Sequence, residues 1–166
     1  HIYGVDIDPQ AVEVTKLSLL LKVLEGESGE HLATQLAFSH ERALPDLGTN
    51  IKCGNALIGS DYYHGRQMPL LDEEERYRVN PFDWEVEFAE IMAAGGFDAV
   101  IGNPPYVFGE TLKSEQKDYF ESHYRTAHGQ YDTYWLFTER AVQLVSSDGL
   151  VSMIVPDALL ARDEAA

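Results

Sequence analysis

Short runs of continuous apolar character, separated by segments of helical periodicity, constrain this chain more than any other feature. IYGVDID (2–8), NIKCGNALIG (50–59), the stretch Asp98–Ile101 and LVSMIVP (150–156) each read as a short strand. They do not alternate, so both faces are expected to be covered, which is the pattern of a parallel sheet. Helical segments lie between them, and the fold class is therefore α/β with a mostly parallel sheet. Asp8 and Pro9 supply an N-cap followed by proline at the first helical position. Val14, Leu17, Leu21 and Leu24 then recur at helical spacing, and a helix over 9–24 is expected to lay that stripe on a core. EGESGE (25–30) ends it, and 31–43 read as a second, more polar helix before a turn at Pro45.

The rest of the chain follows the same grammar. Residues 60–80 are polar and irregular, and DEEE (72–75) reads as a solvated loop or helix start in preference to a metal site. WEVEFAEIMAAGG (84–96) has helical spacing at Val86, Phe88, Ile91 and Met92 and stops at Gly95-Gly96. SEQKDYFESHY (114–124) is helical. So is DTYWLFTERAVQLV (132–145), capped by Asp132, with Tyr134, Phe137, Ala141, Leu144 and Val145 on one side. SSDG (146–149) is expected to turn the chain into the last strand.

Composition excludes several classes. A chain of 166 residues with 45% hydrophobic content supports a folded domain with a core. No apolar run reaches the roughly 20 residues of a membrane helix, and no basic signal region opens the chain. The single Cys53 forms no intrachain disulfide and fits a reducing cytoplasm; flanked by apolar residues, it reads as a strand or core residue. His123 and His128 lie off a common helix face and read as solvated or hydrogen-bonded residues. Twelve basic against 28 acidic residues give a net charge of −16, the reverse of a nucleic-acid-binding footprint.

In parallel α/β sheets ligands bind beyond the carboxyl ends of the strands, and the unusual residues of this sequence fall there. Asp6 ends the first strand, where an acidic side chain can accept hydrogen bonds from both hydroxyls of a ribose. Its other role would be to cap the next helix, for which Asp8 is better placed. Asn55 can bind an adenine edge through its amide, or simply shape the turn after Gly54. Asn103-Pro104-Pro105-Tyr106 ends the third strand. Two prolines in succession make a stiff, extended turn, and Pro104 leaves a carbonyl free of any ladder partner. Asn103 adds another acceptor and Tyr106 a flat ring. Two acceptors beside a stacking ring suit an exocyclic amino group on a planar base. The bland alternative is a rigid surface turn around a buried tyrosine.

NPPY (103–106), preceded by GGFDAVIG, resembles the catalytic motif of amino-group methyltransferases that use S-adenosylmethionine. GVDIDPQAVEVTKLSLLL (4–21), LPDLGTNIKCGNALIGSD (44–61), NPFDWEVEFAEIM (80–92) and GLVSMIVPDALL (149–160) resemble, in order, the N6-adenine DNA methyltransferases. The likeness is greatest to the methylase portion of combined type II restriction–modification enzymes. It implies a Rossmann-like class I methyltransferase fold, with a nucleoside-binding part at 1–61, an irregular and helical insert at 62–96 and a catalytic part at 97–166. It further implies that Asp6 binds the cofactor ribose, Ile7 packs on its adenine, and Asn55 and Ala56 contact that adenine's edge. Asn103 and the Pro104 carbonyl would hold the target amino group, with Pro105 stiffening the turn and Tyr106 stacking on a flipped base. Phe137, in GQYDTYWLF, matches a position that helps enclose the cofactor adenine. Cys53 has no nucleophilic role, and no metal is required.

The resemblance also carries expectations about what the sequence lacks. The glycine-rich cofactor loop and the first strand of the family's sheet would precede GVDID, so the chain reads as a partial catalytic domain. Ile2–Asp6 and Asp98–Ile101 would lack their shared partner strand. The isolated chain is expected to be inactive and to leave a sheet edge open or fill it by self-association. Double-stranded DNA is the implied partner, contacted mostly through regions outside this sequence, in a prokaryotic cytoplasm. Asn-Pro-Pro-Tyr also occurs in enzymes that methylate a glutamine amide in proteins, an alternative favoured by the acidic charge. A non-catalytic nucleotide-binding or assembly module is the other. A nicotinamide dehydrogenase is disfavoured, because no GxGxxG precedes a helix.

Overall fold

The computed structural model describes residues 1–26, 47–64 and 73–157; the helix expected over 31–43 lies outside the described residues. The chain divides into two compact units, one comprising His1–Ala56 with Met68–Phe82 and the other Leu57–Gln67 with Asp83–Ala166. Among the described residues the expected parallel sheet takes the form of two parallel pairs, one in each unit.

In the first unit β1 (Gly4–Asp6) pairs with β2 (Ile51–Cys53), in register from Gly4 opposite Ile51 to Asp6 opposite Cys53. The ladder is extended at both ends, by Gly4 N–H to the Asn50 carbonyl and by Gly54 N–H to the Asp6 carbonyl, each 2.9 Å. Helix α1 (Pro9–Gly26) begins where the cap signal put it, with Asp8 Oδ1 accepting the Gln10 N–H at 2.8 Å.

The face of α1 differs from the expectation. Val14, Leu17 and Leu21 are 63%, 57% and 50% exposed, whereas Val12 is only 2% exposed. Lys16, Leu19 and Leu20 are half-buried and continue the Val12 side. Helical spacing identifies residues that share a face, but α1 is apolar on more than one face. Position relative to β1 and β2 then decides which one packs. The strand read in 50–59 ends at Cys53, just ahead of Gly54-Asn55, where its carboxyl end was expected. Asn55 next forms a parallel bridge with Pro81, and its N–H donates to the Asn80 carbonyl at 2.6 Å. The three glutamates of DEEE prove to be a helix start: α2 (Glu73–Val79) carries Glu73, Glu74 and Glu75 in its first turn and Arg76 and Arg78 in its last, as the helix dipole favours.

In the second unit the helix expected over 84–96 is broken into α3 (Trp84–Glu87) and α4 (Ala89–Ala93) at Phe88, whose φ of −128° and ψ of 44° are not helical. The break buries the Phe88 ring at 5.7 Å from both Trp84 and Phe97, while Val86 is left exposed. Gly95 and Gly96 stop α4 at φ of 104° and 110°. β3 (Phe97–Gly102) pairs in parallel with β4 (Val145–Met153), both longer than expected. SSDG is not a turn ahead of that strand. It is an irregularity within it, because Phe97 pairs with Val145 but Ala99 already pairs with Leu150. Helices α5 (Ser114–His123) and α6 (Thr133–Leu144) match their sequence signals, although Asp132 makes no side-chain capping bond.

The core of this unit is aromatic, built from Tyr119, Phe120, Tyr124, Tyr131, Tyr134 and Trp135 with Ile58 and Leu136. Two carboxylates pin loops to it. Asp61, in the 3-10 turn Ser60–Tyr63, accepts from Tyr119 at 2.9 Å through Oδ1 and meets His123 Nε2 at 2.8 Å through Oδ2. Burial alone would raise its carboxyl, but hydrogen bonds from Tyr119 and His123 hold it below the ordinary 3.8. Glu139 accepts the Arg125 and Thr126 N–H groups at 3.0 and 2.9 Å and the Thr126 hydroxyl at 2.8 Å. Burial opposes its ionisation too, and those three donors outweigh it, leaving it below 4.5. Burial likewise pushes the Tyr124 phenol up to about 12, against the neighbouring Arg140, so it remains the neutral donor to the Leu57 carbonyl at 2.6 Å.

Because Asp61 and Glu139 bind protons more weakly folded than unfolded, their contribution is complete above the ordinary carboxylate range. It is lost as pH falls through that range towards their lowered values. Urea midpoints taken from about pH 7 down to about pH 3 are expected to fall, and Asp61→Asn to flatten part of that slope. A second expectation concerns Gly96. An added Cβ would lie 2.5 Å from the Leu144 carbonyl oxygen and 3.0 Å from the Ser146 nitrogen, whereas one on Gly95 meets nothing within 4 Å. Positive φ costs either alanine variant about 1–3 kcal/mol, so Gly96→Ala is expected to lower the denaturation midpoint clearly more than Gly95→Ala.

Candidate functional site

In the first unit the register of β1 with β2 brings two of the expected site segments level. Asp6 is opposite Cys53, so Asp6-Ile7 and Gly54-Asn55-Ala56 emerge side by side at the carboxyl end of one parallel pair. Asp6 is exposed. Its Oδ1 accepts the Asp8 N–H at 2.8 Å, a local bond that orients the carboxylate, while capping of α1 falls to Asp8 as expected. Ile7 is 49% exposed, an apolar side chain left uncovered beside a carboxylate.

Asn80 shapes the neighbouring segment and escaped the sequence reading. It sits at φ 43°, a region in which asparagine is among the few residues at ease. Its carbonyl accepts from Asn55 and its Nδ2 reaches Cys53 Sγ at 3.4 Å. Phe82 then covers Gly54 so closely that an added Cβ would lie 2.5 to 2.9 Å from the Phe82 side chain. Gly54-Asn55 and Asn80-Pro81-Phe82, far apart in sequence, are therefore one structural element. An asparagine directly before a proline in a polar stretch was the available signal. Cys53 is a strand residue, half-buried, with its Sγ 3.6 Å from the Ile7 carbonyl.

In the second unit β3 ends at Gly102 and delivers Asn103-Pro104-Pro105-Tyr106. Pro104 is buried; Asn103, Pro105 and Tyr106 are exposed. The alternative of a buried tyrosine is thereby removed, since Tyr106 is 53% exposed. The Tyr106 hydroxyl donates to the Ile154 carbonyl at 3.0 Å, just beyond the end of β4. Asn103 Oδ1 is 3.5 Å from the same hydroxyl, which has one hydrogen to give, so the shorter contact is the bond and Oδ1 keeps its acceptor capacity. The Tyr106 ring meets Tyr134 edge-on, with centroids 5.8 Å apart at 84°. The hydroxyl is thus tied and the ring packed on one neighbour, while the residue stays 53% exposed. Phe137 is half-buried on α6 one turn beyond Tyr134. Asp6, Ile7, Asn55 and Ala56 thus form one group in the first unit, and Asn103, Pro104, Pro105 and Tyr106 another in the second.

Polar residues presented at the carboxyl ends of parallel strands make the ligand-binding edge of an α/β protein. The chain belongs to the Eco57I restriction-modification methylase family, whose model matches residues 1–165. It is 33% identical over 98% of its length to the type II restriction enzyme and methyltransferase RM.Eco57I of Escherichia coli. It is 31% identical over 45% of its length to the type II methyltransferase M.BstVI of Geobacillus stearothermophilus, covering 13% of that protein. With the adenine-specific methyltransferase PglX of Streptomyces coelicolor it shares 22% identity over 98% of its length. The chain spans 14% of the length of the Escherichia coli relative and 14% of the Streptomyces one.

The tie from Tyr106 to Ile154 is open to direct measurement. Tyr106→Phe is expected to reduce stability by no more than about 1 kcal/mol, the net value of one partly exposed hydrogen bond. A drop of several kcal/mol in chemical denaturation would show that the ring is a core element and not a presented surface.

Proposed function

We propose that this chain is part of the catalytic domain of a site-specific DNA adenine-N6 methyltransferase of a restriction–modification system, working on double-stranded DNA in a prokaryotic cytoplasm. The observation that carries this reading is the Asn103–Tyr106 turn: a free amide acceptor and an exposed, orientated ring at the end of a parallel strand. A base extruded from the duplex would stack on Tyr106, and Asn103 Oδ1 with the Pro104 carbonyl would accept the two N–H hydrogens of its amino group. With both hydrogens engaged, the nitrogen is drawn towards a tetrahedral form and its lone pair turns to the incoming methyl. After transfer the surplus proton is released to solvent. Positioning and hydrogen bonding supply the catalysis, and no covalent intermediate on the protein is involved.

The cofactor implied is S-adenosylmethionine, and the first unit fits its nucleoside. An exposed, locally orientated carboxylate at Asp6 suits ribose hydroxyls, the uncovered Ile7 suits an adenine face, and Asn55 with Ala56 suits its edge. Bound there, the cofactor would supply an electrophilic methyl group on sulfur.

The net charge of −16 favours one other substrate for the same chemistry, a glutamine amide in a protein. Incubating the protein that carries this chain with labelled cofactor, DNA and a protein extract separates the two. Label is expected on N6 of adenine, and label confined to protein glutamine would overturn the DNA reading. Asn103→Ala is expected to lower kcat roughly 100-fold or more while cofactor affinity stays near that of the wild type. Asp6→Ala, removing a charged hydrogen-bond acceptor, is expected to weaken cofactor binding about tenfold or more in calorimetric titration.

A further inference from the structure

We propose that Thr133 is a positioning residue that clamps the Pro105–Val107 segment, and so fixes the attitude of Asn103 and Tyr106. The proposal rests on the methyltransferase reading above for its functional consequence, and on geometry alone for the clamp. Thr133 is the first residue of α6 and only 6% exposed. The N-cap position of α6 is taken by Asp132, so the Thr133 hydroxyl is not committed to capping. It donates to the Pro105 carbonyl at 2.7 Å and accepts the Val107 N–H at 3.2 Å. The Thr133 N–H adds a third bond, to the Val107 carbonyl at 2.9 Å. One residue of α6 thus holds three backbone groups, one of Pro105 and two of Val107, on the two sides of Tyr106.

The segment needs such a clamp because it cannot make one for itself. Two prolines remove two N–H donors, so the turn has no ladder of its own to hold it to the sheet. Beyond Val107 the Gly109 N–H donates to the Tyr131 carbonyl at 2.8 Å, and together with the Thr133 N–H bond this makes the antiparallel bridge of Phe108 with Asp132. The clamp lies between this anchor and the end of β3. Tyr106 is thereby held twice, by its hydroxyl on Ile154 and by its flanking backbone on Thr133. A ring held only at its tip could pivot about that bond, and an acceptor pair on an unclamped turn would lose its spacing.

Valine matches the shape of threonine but has no hydroxyl, so Thr133→Val leaves the Pro105 carbonyl and the Val107 N–H without their partner. Thr133→Ser restores the hydroxyl. The clamp itself can be read without any reaction, by amide hydrogen exchange in the protein that carries this chain. Thr133→Val is expected to accelerate exchange at Val107 about tenfold while amides within α6 and β4 keep their protection, and Thr133→Ser to return it towards wild type. In steady-state methylation of DNA, Thr133→Val is expected to lower kcat about tenfold or more with KM for the cofactor unchanged, and serine to rescue it.

Unaltered exchange at Val107 in the valine variant overturns the clamp, whatever reaction the protein performs. Lost protection at Val107 with undiminished kcat overturns the positioning role. A wild-type protein that transfers no methyl to DNA refutes the functional reading, and the exchange measurement then decides the clamp by itself.

Discussion

The last rung of the β3–β4 ladder governs what the second unit can present. Gly102 pairs with Met153, and the Gly102 carbonyl accepts the Ile154 N–H at 2.9 Å, so both strands finish at one level. Had β4 ended a residue earlier, no carbonyl would stand at Ile154 to receive the Tyr106 hydroxyl. The irregularity at 146–149 matters for the same reason, since it absorbs the surplus residues between Val145 and Leu150 and brings the upper part of β4 into step with β3. Gly149 is needed where it passes the ladder, because an added Cβ would lie 2.9 Å from both the Phe97 and Asp98 carbonyl oxygens.

What could be read from the sequence was local. Asp8-Pro9, Gly95-Gly96 and the strand end at Asp6 each carry their instruction within a few residues, and each is where it was expected; β3 runs on to Gly102, one residue beyond its expected end. What could not be read depended on a partner elsewhere in the chain. The stripe at Val14, Leu17 and Leu21 has faultless helical spacing and faces outward, because spacing says nothing about which of two apolar faces meets a sheet. Phe88 breaks a periodic segment because its ring is drawn against Phe97, which the period does not contain. Of the site, the Asn-Pro-Pro-Tyr turn and Asp6 were legible as unusual residues at strand ends. Thr133 was not, since a threonine after an aspartate at a helix start looks like ordinary capping, and only the path of 105–107 reveals where its hydroxyl goes.

The two units solve the same problem in different ways. Beside Asp6, the segment after β2 is stiffened by a second segment, with Asn80 and Pro81 bridged to Asn55 and Phe82 pressed on Gly54. After β3, the turn is stiffened by its own prolines and by one buried hydroxyl. In both cases a short parallel pair supplies direction, and side contacts supply rigidity. A three-residue strand has few ladder bonds with which to resist displacement, so the rigidity of a group at its end must come from what flanks it.

The acidic charge then reads differently from a simple objection to DNA. Several of the chain's few cations are engaged internally: Lys16 with Glu13 at 2.9 Å, Lys22 with Glu25 at 2.6 Å, and Arg140 with the Tyr124 hydroxyl at 2.7 Å. Exposed pairs of this kind add little stability, but they leave those groups less free to gather phosphates. The surface this chain offers at Asn103 and Tyr106 does not call for cations. Stacking on a ring and donation into two neutral acceptors recognise an uncharged amino group, and neither depends on net charge. A nearby excess of carboxylates would repel the phosphate backbone and leave a base that has swung out of the helix unaffected. Under the proposed function the charge is compatible with a surface that would handle the base alone, with attraction for the duplex expected from surfaces other than these.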